Sequence, residues 1–105
     1  MADTGRILLT GATGYIGGRL LRRLEDRGLP VRCLTRQPNR LKGHVAGTTE
    51  VVGGDVLDAG SLEKSMCGID TAYYFVHSMG ATGDFEKEDR EAADNFANAA
   101  QQAGV

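Results

Sequence analysis

Gly11, Gly14 and Gly17 stand three residues apart in the segment LLTGATGYIGGRLL, residues 8–21, between an aliphatic run and an amphipathic one. Glycines at such a junction suit the binding of a phosphate anion. Where a strand turns at once into a helix, the first helical amides and the helix dipole face outward and attract negative charge. A side chain at the closest approach would block the anion. Gly11 allows the tight turn, Gly14 lets the backbone come close, and Gly17 lets the helix pack against the strand. The pattern is GxxGxxG rather than GxGxxG. By itself it is also compatible with a purely structural turn. Its position between a strand and a helix at the start of a βαβ unit favours the pyrophosphate of a dinucleotide.

A second position speaks to which dinucleotide. An acidic residue about 20 positions past the loop would hold the adenosine ribose 2′-hydroxyl of NAD. Here that region reads Thr35-Arg36-Gln37, without a carboxylate. Arg36 could instead pair its planar fork with the 2′-phosphate of NADP, assisted by Arg40. The alternative is an arginine exposed in a loop. NADP is therefore preferred, with NAD as the other candidate.

The elements that must hold these residues alternate in type. Arg6–Thr10 is a short aliphatic run with no periodicity, as in a strand buried on both faces of a parallel sheet. Ile16, Leu20, Leu21 and Leu24 recur at helical spacing, and Arg19, Arg22, Arg23 and Arg27 lie mostly off that stripe. Gly28 ends this helix and Pro30 blocks its continuation. Val31–Thr35 reads as a second strand, residues 36–48 as loop with one helical turn around Asn39–Lys42, and Glu50–Gly53 as a third strand. Asp58 caps a short helix over Ala59–Cys67, ended by Gly68. Thr71–His77, rich in aromatic and β-branched residues, is a fourth strand, with Tyr73 and Tyr74 packing on neighbouring helices. Asp84 caps a last helix over Phe85–Ala103, whose acidic start suits the dipole. Phe85, Ala92, Ala93, Phe96, Ala100 and Ala103 form its packing face. Such alternation demands parallel strands joined by helical crossovers. Right-handed crossovers give an α/β, partly doubly wound sheet in strand order 3-2-1-4.

Composition narrows the class. The chain has 105 residues, 41% hydrophobic and 25% charged, which suits one small globular domain. No apolar stretch approaches the roughly 18–20 residues that span a bilayer. The start, Met1-Ala2-Asp3-Thr4-Gly5, lacks the basic-then-apolar order of a secretory signal. Cys33 and Cys67 lie in no CxxC or histidine-rich cluster, so no metal site is expected. Cys33 reads as a small core residue, and a reducing, cytoplasmic compartment fits. Residues 1–52 carry nine Lys/Arg against four Asp/Glu, and residues 53–105 carry three against ten. The basic half could attract an anionic cofactor. Alternatively, the helices simply present charged outer faces. The arginines lack interleaved aromatics and the net charge is −2, so a nucleic-acid surface is not expected.

TGATGYIG resembles the phosphate loop of the short-chain dehydrogenase/reductase superfamily, in its extended and atypical branches. The resemblance continues through TRQP (35–38), GGDVLD (53–58), AYYFVHSMG (72–80) and DREAADNFANAAQQAGV (89–105). The last two stretches are most similar to NmrA-like NAD(P)H-binding proteins and NAD-dependent epimerases. The resemblance implies that Thr13, Tyr15 and Ile16 contact the cofactor phosphates. It implies that Asp55 and Val56 contact the adenine, the carboxylate accepting from the exocyclic amine and a backbone N–H donating to a ring nitrogen. The alternative for Asp55 is turn chemistry after Gly54. Val76, His77 and Ser78 would run along the riboses, with a structural hydrogen bond as the alternative for His77.

The superfamily's usual chemistry needs a tyrosine and a lysine four residues apart. Here Tyr15 is followed four on by Arg19, Tyr73 by His77 and Tyr74 by Ser78. A fifth strand is expected after Gly104-Val105, so the chain reads as the N-terminal portion of a longer protein. The fourth strand would then be an open edge inviting self-association. The expected function is dinucleotide binding within an NAD(P)-dependent oxidoreductase or epimerase acting on a small molecule. The alternative is a redox-silent sensor or assembly protein. An interaction domain that has lost its cofactor is a third possibility, which the intact loop argues against.

Overall fold

The computed structural model describes residues 5–75 and 85–105, in the order β1 (Arg6–Thr10), α1 (Tyr15–Asp26), β2 (Val31–Thr35), α2 (Pro38–Leu41), a 3-10 turn (Lys42–His44), β3 (Glu50–Gly53), α3 (Ala59–Ser65), β4 (Ile69–Tyr74) and α4 (Phe85–Ala103). The strands form one parallel sheet in the order β3-β2-β1-β4. This is the expected doubly wound, Rossmann-type arrangement. The winding direction reverses between β1 and β4, which is where such sheets bind ligands.

The alternation of side chains along β1 divides the core in two. Ile7 and Leu9 face Leu21 and Leu24 of α1, with Val31, Cys33 and Leu41 beside them. Leu8 faces the other way, onto Leu62 and Met66 beside α3 and Phe96 and Ala99 of α4. Leu8, Leu9 and Leu62 are fully buried, each contributing roughly 1.5–3 kcal/mol by burial. Paired residues in the register set the strand ends level: Thr10 pairs with Leu34, and Thr35 with Gly53. The loops after β1, β2 and β3 therefore leave the sheet on one side.

Polar side chains fix the connections. Asp58 accepts a hydrogen bond from the Gly60 amide at 3.0 Å, capping α3 as its sequence predicts. The guanidinium of Arg32 donates to the carbonyls of Ser65 and Cys67 at 2.7 and 2.8 Å, satisfying the far end of that helix. It also pairs with Glu50 at 2.9 Å. Glu25 of α1 accepts from the Ala46 amide at 2.8 Å and from the Thr49 hydroxyl at 2.5 Å, tying down the long connection to β3.

Several expectations are corrected. Ile16 is 63% exposed, because the buried stripe of α1 is Gly17, Leu21 and Leu24 and the adjacent residue turns outward. Helix α3 ends at Ser65 rather than Cys67. Strand β4 starts two residues earlier than its aromatic run suggests and ends at Tyr74. Gly68, at φ +77°, turns the chain directly into the sheet, and Ile69 is buried there. Tyr74 packs on Phe96 of α4, ring centroids 4.8 Å apart, as expected. Tyr73 instead lies on the opposite face, exposed and stacked on Phe75 at 6.2 Å. On α4, Ala92, Phe96 and Ala99 are buried, whereas Ala93 and Ala103 are exposed. The contacts of Phe85 and the cap at Asp84 lie outside the described residues.

Candidate functional site

A depression of about 530 Å³ opens at the C-terminal ends of the strands. Thr10 to Gly14 form one wall, Leu34 to Arg36 a second, Gly54 to Leu57 a third. Phe75 and three residues of α4 (Glu88, Asp89 and Ala92) close it. Of the sequence-predicted residues, Gly11, Thr13, Gly14, Arg36, Asp55 and Val56 meet there. Tyr15 and Ile16, in the first turn of α1, are exposed and do not line it. Gly17 is buried behind the loop. Arg40 is exposed on α2, away from the depression. Val76, His77 and Ser78 lie outside the described residues.

The three glycines differ in what the fold asks of them. Gly11 has φ +100°, and a Cβ there would meet the Phe75 carbonyl oxygen at 2.6 Å. A Cβ on Gly17 would collide with the Gly11 carbonyl oxygen and lie 2.7 Å from its carbon. Both positions are closed to side chains by the protein's own backbone. Gly14 is not. It is the N-cap of α1 in an extended conformation, φ −84° and ψ 173°, and a Cβ would meet only the Gly11 oxygen at 3.4 Å. Nothing inside the described structure requires glycine there. The cap is a glycine, so no cap side chain covers the first amides of α1.

Other polar groups around the depression have defined positions. The Thr35 hydroxyl accepts from the Gln37 amide at 3.1 Å, which sets the turn carrying Arg36. Arg36 is exposed, with no ion-pair partner among the described residues. The Asp55 carboxylate accepts from the Leu57 amide at 2.9 Å, so the turn chemistry anticipated for it is present. Thr10 is 3% exposed, and its hydroxyl has no hydrogen-bond partner among the described residues although the residue lines the depression. The arginines of α1 and its C-cap (Arg19, Arg22, Arg23 and Arg27) are exposed and do not line the depression, so the basic first half supplies it with Arg36 alone among the described residues. Sequence reasoning missed Thr10, Phe75, Glu88 and Asp89. Only the register of β1 and β4 and the path of α4 bring them to this opening.

An anion-receptive helix start, a bare loop and a groove at the switch of winding define a dinucleotide-binding domain. Residues 11–105 match the NAD(P)H-binding family, and the chain belongs to it. Its partner is therefore NAD or NADP. The chain is 35% identical to a 3-beta-hydroxysteroid dehydrogenase of Mycolicibacterium neoaurum, covering 98% of this chain and 30% of the relative. It is 41% identical to a (4-alkanoyl-5-oxo-2,5-dihydrofuran-3-yl)methyl phosphate reductase of Streptomyces griseus, over 94% of this chain and 31% of the relative. The crystal structure of the Bordetella bronchiseptica enzyme WbmG in complex with NAD superposes with a TM-score of 0.81 at 25% identity, covering 98% of this chain and 36% of that one. The chain thus spans about 30% of the length of the curated relatives it matches. Among the described residues no helix is long and apolar enough to cross a membrane.

Proposed function

We propose that this domain binds NADP(H) in preference to NAD(H), for an oxidoreductase or epimerase acting on a small molecule. The observation that carries the cofactor preference is Arg36: a guanidinium with no ion-pair partner among the described residues lines the groove where an NAD-type site would place a carboxylate. In this reading the diphosphate rests on the backbone of Gly11 to Gly17, Thr13 and the first-turn residues Tyr15 and Ile16 included. Gly14 supplies the close approach. Asp55 and Val56 meet the adenine, and Val76, His77 and Ser78 run along the riboses. When bound, the nicotinamide supplies hydride chemistry, and the protein's task is to hold and orient it. The names of the dehydrogenase and reductase relatives support a redox role for the whole protein. The free thiols Cys33 and Cys67 support a reducing, cytoplasmic setting. The edge of β4, unpaired among the described residues, supports association between copies of this chain.

Titration of the protein with NADPH and NADH tests the preference. NADPH should bind more tightly, and Arg36→Ala should remove that advantage, roughly ten- to hundredfold for a charge-assisted contact. Equal affinities, unchanged by the substitution, would defeat the assignment. The alternative reading, a redox-silent sensor or assembly protein, uses the same cofactor site and differs in whether the whole protein turns over a substrate. Hydride turnover by the whole protein with any small carbonyl or alcohol would exclude it.

A further inference from the structure

Asn95 of α4 donates from Nδ2 to the carbonyl oxygen of Val56 at 3.1 Å, across 39 positions of sequence. We propose that Asn95 is the positioning residue for adenine recognition: it holds the loop after β3 so that Asp55 and Val56 meet the base. The proposal rests on the reading that Asp55 and Val56 contact the adenine.

That loop is anchored from three directions. From β2, the Thr35 carbonyl accepts the Gly54 amide at 3.0 Å. From α3, the Ser61 hydroxyl accepts the Asp55 amide at 3.0 Å and donates to the Asp55 carbonyl at 2.9 Å. From α4, Asn95 takes the Val56 carbonyl. The first two hold the loop at Gly54 and Asp55. The Asn95 bond holds the carbonyl of the Val56–Leu57 peptide, and the amide of that same peptide, the Leu57 N–H, donates to the Asp55 carboxylate at 2.9 Å. The Val56 side chain packs into the core beside α4. The hydrogen bond from Asn95 therefore steadies this peptide and, through its amide, the direction of the Asp55 carboxylate. Asn95 is half-buried and does not line the depression, so it acts through the loop rather than on the ligand.

The test compares NADPH and NADH with their hypoxanthine analogues, which lack the exocyclic amine and carry a proton on the ring nitrogen. Both contacts assigned to the loop depend on those two features. The unsubstituted protein should bind the adenine forms about tenfold or more tightly, as expected of two hydrogen bonds. In Asn95→Ala, affinity for the adenine forms should fall about five- to tenfold while that for the hypoxanthine forms stays level. Base selectivity then collapses, with circular dichroism unchanged. A purely structural role would weaken all ligands in parallel, and that result overturns the proposal. So does unchanged selectivity in the variant. If the unsubstituted protein shows no base selectivity, the adenine reading itself fails. Should Asn95→Ala not fold, Asn95→Asp removes the donor at equal size and carries the same test.

Discussion

Gly14 and Gly17 look equivalent in the string of residues, yet they should fail in different ways. Gly17→Ala forces a Cβ into the Gly11 backbone, so it should cost about 1–3 kcal/mol of stability in chemical denaturation. Gly14→Val enters an extended backbone where a Cβ makes only van der Waals contact with the Gly11 oxygen, so the fold should survive. Its branched side chain would occupy the approach to the loop, and dinucleotide binding should be abolished. Wild-type affinity in that variant would contradict the loop geometry. Cys33 offers a pH-dependent test. Burial, helped by the nearby Glu25 carboxylate, pushes its thiol from 9.0 up to about 12. Below pH 9 the thiol is neutral in both folded and unfolded chains. Between about 9 and 12 the unfolded chain releases the proton and the folded one keeps it, so stability falls as pH rises. Denaturation midpoints measured from pH 8 to 11 should decline, and Cys33→Ala should flatten part of that decline. Burial and the Asp89 carboxylate also raise the Tyr74 hydroxyl, which accounts for a remaining slope.

At the scale of elements, α3 is the weakest link between sequence and fold. It has seven residues, too few to be stable alone, and relies on end contacts. Asp58→Ala removes the bond to the Gly60 amide and should cost about 1 kcal/mol. For a domain this small that is a fall of about 4–8 °C in Tm by calorimetry. No change would mean that the Arg32 bonds at the other end already hold the helix. The Asp58 cap was legible because capping is a local event between neighbouring residues. The Arg32 clamp was not, because β2 and the end of α3 meet only after a crossover. The displaced start of β4 has a similar cause. β-Propensity marks the aromatic run, whereas pairing with β1 decides that Ile69 and Asp70 belong to the strand.

At the scale of the whole molecule, β4 pairs with β1 alone among the described residues, which leave its other edge open. Tyr73 and Phe75, each 37% exposed, add apolar surface on one face of that edge. Light scattering of this chain over rising concentration should show a dimer or larger species. A clean monomer at high concentration would count against association through β4. The depression is also a property of the whole molecule, since its walls come from three loops and α4.

The chain's own order of residues determined the strand and helix types, the sheet order and the glycine loop. These follow from periodicity, from turn chemistry and from the single handedness of crossovers, all readable along a line. Only the tertiary structure decided that Gly14 alone of the three glycines is bare without internal cause. It also decided that Thr10 lines the depression, that Tyr73 turns outward, and that Asn95 reaches the loop after β3. Each depends on which surfaces meet in space, and residues far apart in sequence settle that together.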